Sequence, residues 1–364
     1  MNTNLPPKPL HNTSQLLLRN INRLQGAHIL VVNYPDDPFL FSLRASLPAA
    51  TIVGFNHNYA PHQSLLRAYI AANLNAEDLI FAPLYQAPDR PYDVAIVFLP
   101  KSRALIELTL TMTAANLQPG AKLFLVGEND AGIRSQRAVL EKLIGPARSV
   151  DSARHCVLLQ ATLALAAPSI NLDDWATAYP LEARHQPLTV VSLPGVFSHG
   201  RLDEGTQLLL ETLDVPNVGS ATGAHVLDFG CGAGVIGAVI KQTWSASKVE
   251  LTDANALALE ATRRTLLANN LSVDAITPSN IFSNIPGVYA QIVSNPPFHT
   301  GVKTDYAIVS AFLKAATQHL EKGGSLRIVA NQFLKYQPLI EFYVGPCRVV
   351  AENERYRIYE GTRQ

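Results

Sequence analysis

HVLDFGCGAGVIGAVI, His225 to Ile240, decides the fold. An apolar run ends in Asp228, glycines follow at Gly230, Gly232 and Gly234, and an apolar segment compatible with a helix comes next. This order spells a strand, a tight turn and a helix N-terminus, the place where an α/β sheet receives a nucleotide-like ligand. Glycine suits such a turn because the backbone takes dihedrals that a Cβ resists and lets a ligand approach closely. The free N–H groups at the helix start favour electronegative ligand atoms. Gly232, Gly234 and Gly237 also read as GxGxxG with Asp253 about twenty residues on, so a dinucleotide dehydrogenase fits locally.

Working outward, strands and helices alternate through the chain, which predicts a doubly wound parallel sheet. HILVVNYP (His28 to Pro35), TIVGF (Thr51 to Phe55) and YDVAIVFLP (Tyr92 to Pro100) read as strands, Lys101 to about Asn116 as a helix, and QPGAKLFLVGEN as a turn and a strand ending near Gly127. Near the N-terminus, SQLLLRNINRL reads as an amphipathic helix with Leu16, Leu17, Ile21 and Leu24 on one side. The second half repeats the order. HVLDFG matches HILVVN at an offset of 197 residues, and VELTD matches TIVGFN at the same offset. QIVSNPP aligns with AIVFLPK at 196, and KGGSLRIVAN with PGAKLFLVGE at about 203. Four blocks in one order indicate two copies of one α/β unit. The copies are not equivalent: DFGCGAG corresponds to VNYPDDP, Asp253 to Asn56, and NPPF to LPKS. The first copy keeps the frame without the ligand-binding residues. Residues 165–190 read as a linker, which divides the chain into 1–185 and 186–364. Leu193 to Leu213 reads as a Gly-rich loop followed by a helix from Asp203.

The bulk composition limits the rest. A chain of 364 residues that is 48% hydrophobic holds two or three ordinary cores. Three cysteines, Cys156, Cys231 and Cys347, have no spacing that suggests a disulfide framework or a zinc site. Cys231 reads as a small residue tolerated in a tight turn rather than a catalytic thiol. No signal segment and no apolar run of membrane-spanning length is visible, so a cytoplasmic protein is expected. The net charge of zero argues against a broad basic face for nucleic acid. Lys8, Arg19 and Arg23 precede the first acid, Asp36, and form one local basic cluster, either a solvated leader or a nucleic-acid arm.

Chemistry concentrates at strand ends in the second copy. Asp228 is costly at a buried strand end unless it is hydrogen-bonded or faces a ligand. Asp253 ends the next strand, where a carboxylate can accept both hydroxyls of a ribose. Asn280, in PSNIFS, is placed to meet an adenine edge. Asn295-Pro296-Pro297-Phe298 follows the apolar strand QIVS. Two prolines cannot continue a ladder and fix a rigid loop. The Asn295 side-chain oxygen and the Pro296 carbonyl make a pair of acceptors, and Phe298 offers a flat apolar face. Together they describe a holder for a planar aromatic amine. Arg327 lies mid-strand and is expected to reach the edge or pair with an acid, and Asn331 at that strand's end to point into the same crevice. YRIYE and CRVVA (Cys347 to Ala351) read as a closing antiparallel hairpin.

The combination resembles the class I S-adenosylmethionine-dependent methyltransferases of the N-P-P-[FY] type. It is more closely similar to the ribosomal RNA small subunit methyltransferase C family, through PGVFSHGRLDEGTQLLL, VLDFGCGAGVIG, SNPPFHTG and LRIVANQFL. The resemblance covers residues 193–360, and the first half in architecture only. It implies two tandem Rossmann-like class I methyltransferase domains, the N-terminal one degenerate, the C-terminal one with a mixed sheet closed by an antiparallel hairpin. S-adenosylmethionine is the implied cofactor, held by Asp228, Gly230, Cys231, Gly232, Gly234, Asp253 and Asn280. Asn280 departs from the family, where many members carry an acid. Asn295, Pro296 and Phe298 are the implied catalytic residues, transferring a methyl group to the N2 amine of a guanine in 16S rRNA. His299 follows the motif as a candidate proton acceptor or a loop residue. The expected partner of a monomeric chain is rRNA or the small ribosomal subunit, with no membrane and no metal. Residues 1–185 are expected to orient the RNA or to shield the catalytic half. Alternatives are methylation of guanine in large-subunit rRNA, of DNA adenine or of a protein glutamine, a dinucleotide oxidoreductase, and a non-catalytic rRNA-binding assembly factor.

Overall fold

The computed structural model describes residues 8–87, 92–166, 168–197, 199–214, 223–296, 299–300, 303–304 and 306–364, with no account of side chains in 299–304. Two compact units divide between Trp175 and Ala176.

The first unit runs α1 (Asn12–Arg19), β1 (His28–Val32), α2 (Phe39–Ser46), β2 (Thr51–Asn56), α3 (Tyr59–Ala71), β3 (Leu79–Phe81), β4 (Tyr92–Phe98), α4 (Arg103–Ala115), β5 (Leu117–Glu128), α5 (Gln136–Leu143), β6 (Ala147–Ala153) and β7 (Cys156–Thr162). Its strands form one sheet in the order β3-β2-β1-β4-β5-β7-β6, parallel except where β7 runs against β5 and β6. β1 and β4 are buried almost throughout, as parallel strands covered on both faces must be. Ile29, Val31, Ile96, Phe124 and Leu158 meet Leu16, Leu17, Phe39 and Leu43 in the core. The amphipathic helix expected at the N-terminus ends at Arg19, and a 3-10 turn over Ile21–Arg23 carries the chain on to buried Leu24.

The second unit opens with the hairpin β8 (Thr177–Ala183) and β9 (Gln186–Ser192). Residues 165–190 are therefore not simply a linker. β9 docks on α8 (Ala256–Ala268, below) through side chains: Val191 N–H donates to Thr265 Oγ1 at 3.0 Å and Thr189 N–H to Asn269 Oδ1 at 2.8 Å. Then follow α6 (Glu204–Glu211), β10 (His225–Phe229), α7 (Val235–Thr243), β11 (Lys248–Asp253), α8, β12 (Ala275–Pro278), β13 (Tyr289–Ser294), the short pair β14 (His299–Thr300) and β15 (Lys303–Thr304), α9 (Tyr306–Gln318), β16 (Leu320–Asn331), α10 (Gln337–Tyr343), β17 (Cys347–Glu352) and β18 (Tyr356–Thr362). The sheet order β12-β11-β10-β13-β16-β18-β17 repeats that of the first unit, and β17–β18 is the antiparallel hairpin expected at the C-terminus.

The duplication extends to register. His28 pairs with Thr51 as His225 pairs with Lys248, and Ile29 with Val94 as Val226 with Gln291. The offset is 197 throughout this block, so the sequence alignment of QIVSNPP at 196 slips by one residue. Asn295 corresponds to Phe98, and Asp228 to Val31. Even the irregularities recur, between Ser149 and Asp151 in one sheet edge and between Val349 and Ala351 in the other. Gly145 and Gly345 hold φ of 143° and 138°, each where a Cβ would strike the carbonyl of a strand residue, Thr162 or Thr362.

Two of the three cations in the basic cluster expected near the N-terminus are paired. Lys8 pairs with Asp36 at 2.5 Å and Arg19 with Asp151 at 2.6 Å, acids that lie distant in sequence. Arg327 is fully buried mid-strand and pairs with Glu360 on β18 and with Asp214 at 2.5 Å.

Candidate active site

At the carboxyl ends of β10, β11 and β13 the second unit opens a cavity of about 490 Å³. Crossovers that leave the sheet in opposite directions here create a crevice in any open α/β sheet. Gly230, Cys231, Gly232, Asp253, Asn280, Asn295 and Pro296 all line it. Pro297 and Phe298 lie outside the described residues, as does the His299 side chain.

The glycines divide by role. Gly230, Gly232 and Gly234 hold φ of 72°, 55° and 77°, which L side chains resist. At Gly232 an added Cβ would meet only Val196, another residue of the cavity wall, at 3.9 Å. At Gly234 it would strike Thr262 at 2.9 Å, and at Gly237 it would strike Leu251 at 2.4 Å. Gly234 therefore lets α8 approach and Gly237 lets α7 lie against the sheet, while Gly230 and Gly232 face the ligand space.

Asp253 keeps its carboxylate at the wall. Oδ2 accepts from Gly232 N–H at 3.0 Å and Oδ1 from Asn255 N–H at 2.8 Å. Burial raises its pKa, and these backbone donors pull it back down. Asp228 is wholly buried and does not line the cavity. Its Oδ2 accepts from Gly237 N–H at 2.8 Å, which ties the strand end to α7, and its Oδ1 is buried without a partner among the described residues. Burial pushes its carboxyl up to about 7, with the Asp253 charge adding to the shift and the Gly237 donor opposing it. Cys231 faces Thr262 Oγ1 at 3.2 Å, and burial drives its thiol well above the ordinary range, which suits a wall residue and not a nucleophile. Asn280 sits exposed at the rim, its N–H donating to Ser283 Oγ at 3.2 Å.

Asn295 is held from the other side. Its Nδ2 donates to Thr206 Oγ1 at 2.9 Å and to Asp203 Oδ2 at 3.2 Å. Asp203 is the N-cap of α6, accepting from Thr206 N–H, and Tyr179 of β8 also lines the wall. Sequence reading placed the helix but not these partners; the only signal was an Asp three residues before a Thr at a helix start. Ile281 was missed as well. It lines the cavity with φ of 54°, an outlier for a β-branched residue, and its carbonyl accepts from Ser279 Oγ at 2.9 Å. Asn331 does not enter this cavity. It lines a separate shallow depression with Phe333 and Tyr356.

The site fits an elongated ligand with a polar diol near Asp253, a charged or polar end at the glycine turn and a planar group toward Asn295. No cluster of three or more His, Cys, Asp or Glu that could hold a metal occurs among the described residues. No helix among them is long and apolar enough to cross a membrane.

Comparison with known proteins agrees in both halves. Residues 187–360 match the methyltransferase small domain and residues 14–179 match the methyltransferase small domain N-terminal family. A ribosomal RNA small subunit methyltransferase C of Pseudomonas fluorescens is 43% identical over 350 residues, covering 96% of this chain and 98% of its own. One from Ectopseudomonas mendocina is 44% identical over 354 residues, covering 96% and 99%. A T. thermophilus 16S rRNA N2 methyltransferase, solved in complex with AdoMet and guanosine, superposes with a TM-score of 0.82 at 23% identity, covering 97% of this chain and 92% of that one, which is a likeness of fold.

Proposed function

The chain belongs to the ribosomal RNA small subunit methyltransferase C family, and from that premise we propose that its second unit transfers a methyl group from S-adenosylmethionine to the N2 amine of a guanine in 16S rRNA. One observation carries the reading. The glycine turn, the Asp253 carboxylate and the Asn295–Pro296 acceptors line a single cavity.

Bound S-adenosylmethionine supplies an electrophilic methyl group on a sulfonium, a good leaving group. Asp253 accepts the ribose hydroxyls, Gly230 and Gly232 leave room for the methionine portion, Cys231 and Asn280 complete the wall, and Asp228 and Gly234 hold the turn in shape. The target guanine leaves its stack, because N2 cannot otherwise reach a recessed site. Asn295 Oδ1 and the Pro296 carbonyl accept the two N2 hydrogens, which aims the nitrogen lone pair at the methyl carbon. Positioning provides most of the rate, and no strong base is needed. Residues 176–364 carry this chemistry, and residues 1–175 serve as a substrate platform.

The test is to map methylated guanines in 16S rRNA from a deletion strain, then restore them with purified protein and S-adenosylmethionine. A single N2-methylguanine that vanishes and returns is expected. An unchanged map, or a base restored in large-subunit rRNA, would overturn the reading.

A further inference from the structure

Asn295 can serve as an acceptor only if its amide points the right way, and its own backbone does not decide that. The two atoms that receive Nδ2 do. Thr206 Oγ1 donates its single proton to Asp203 Oδ1 at 2.6 Å, so toward Asn295 it can only accept. Asp203 Oδ2, a carboxylate oxygen, likewise only accepts. The amide nitrogen must therefore face this pair, and Oδ1 is left to the cavity with no partner among the described residues.

We infer that Asp203 is a positioning residue for methyl transfer, acting through Asn295 by fixing its amide and by lending it negative charge; this rests on the proposed guanine-N2 reaction. As N2 gains the methyl carbon, the electron pair of the broken S–C bond stays on sulfur. The nitrogen carries positive charge until one of its two protons leaves to water. A carboxylate one amide away opposes that charge, because hydrogen bonds in series polarise one another.

The first unit supplies the contrast. SQLLL, 14–18, opens α1 as TQLLL, 206–210, opens α6, and both helices pack on the strands that lead into their closing hairpins. Ser14 stands for Thr206, His11 for Asp203 and Phe98 for Asn295. α1 forms with no capping side chain, so this frame does not need the Asp cap to make the helix. Ser14 Oγ is buried without a partner among the described residues. The three-residue clamp is absent as a set from the half that also lacks the glycine turn. A merely structural cap would have no reason to follow the chemistry.

The experiment is a double-mutant cycle on the full chain. Asp203→Asn keeps a good N-cap but removes the charge and the demand on amide orientation. It is expected to lower kcat by about 10- to 100-fold, with S-adenosylmethionine affinity and Tm near wild type. In an Asn295→Ala background the same change should do nothing further, since it has no amide left to act through. The Asn295 side-chain amide resonances should also move in Asp203→Asn. Wild-type turnover in Asp203→Asn, or a second loss of equal size in the double variant, would overturn the inference. Should the wild-type chain transfer no methyl to guanine N2, the proposed reaction falls, and unmoved amide resonances would then remove the clamp as well.

Discussion

The two carboxyl edges of this chain are built on one backbone and end in different chemistry. Asn33 and Gly230 occupy the same position, with φ of 56° and 72°, and each donates its N–H to the next strand at 2.8 Å, to Phe55 O or Thr252 O. From there they part. Pro35 stands where Gly232 stands and has no N–H to offer, so a carboxylate at the Asp253 position would lose one of its backbone donors. Asn56 takes that place and reverses the polarity. Its Nδ2 donates to Tyr34 O at 2.8 Å, and its Oδ1 accepts from Asn58 N–H at 2.9 Å. Tyr34, 1% exposed, stands where Cys231 lines an open cavity. The turn survives the loss of its ligand residues because the sheet register, and not the ligand, holds it.

The largest expected effect tests whether only one edge binds cofactor. Calorimetric titration with S-adenosylmethionine should give one site per chain, and Gly232→Val with Asp253→Ala should abolish it. A valine at φ 55° cannot hold the turn, and the second change removes the diol acceptor. A second site, or one that survives the double change, would break the contrast between the halves.

Next is the buried ion pair. Arg327 and Glu360 are cross-strand partners, and their counterparts Phe124 and Gln160 carry no charge. Arg327→Met leaves Glu360 only the Arg348 guanidinium on its other oxygen and should cost about 3 kcal/mol in denaturant unfolding. Arg327→Phe with Glu360→Gln, the pair that the first half already uses, should recover most of it. If the double variant is as unstable as the single, the two sheets do not tolerate each other's cores.

Asn295→Ala should lower methyl transfer about 100-fold or more, some 2.7 kcal/mol, and leave cofactor affinity nearly unchanged. Near-wild-type turnover would sink the role assigned to it. The reverse change, Phe98→Asn, should give the first half no activity.

A separate effect, on stability and not on turnover, is a pH dependence that one half has and the other lacks. Asp228 titrates at about 7 when folded against 3.8 when unfolded, so the folded chain holds the proton more tightly. That contribution is full below about pH 4 and is lost as pH rises through about 7. Asp228→Asn should flatten this stretch of a Tm-against-pH curve. The counterpart Val31 adds nothing. A slope that persists unchanged in Asp228→Asn would assign it elsewhere.

Much of this was legible in the residues. The repeated strands, the glycine turn, Asp253 and the Asn-Pro-Pro loop each record a local demand, an apolar face or a positive φ, that few residue types satisfy. The register error at Asn295 arose because matching apolar runs constrain alignment only to within a residue. The hairpin at 177–192 read as a linker because β8 is largely exposed and carries Pro180 within its run.

The sequence by itself determined the duplication, the asymmetry of the two edges and the residue types around the cavity, because backbone dihedrals and burial act within a few residues of each position. Tertiary structure alone decided the partners. It brought Asp203 to Asn295 across 92 residues, set Asp151 against Arg19 across 132, and turned Asn331 away from the cavity. A side-chain hydrogen bond acts over about 3 Å in space and leaves no trace in local sequence, so only the packed sheet could show which groups meet.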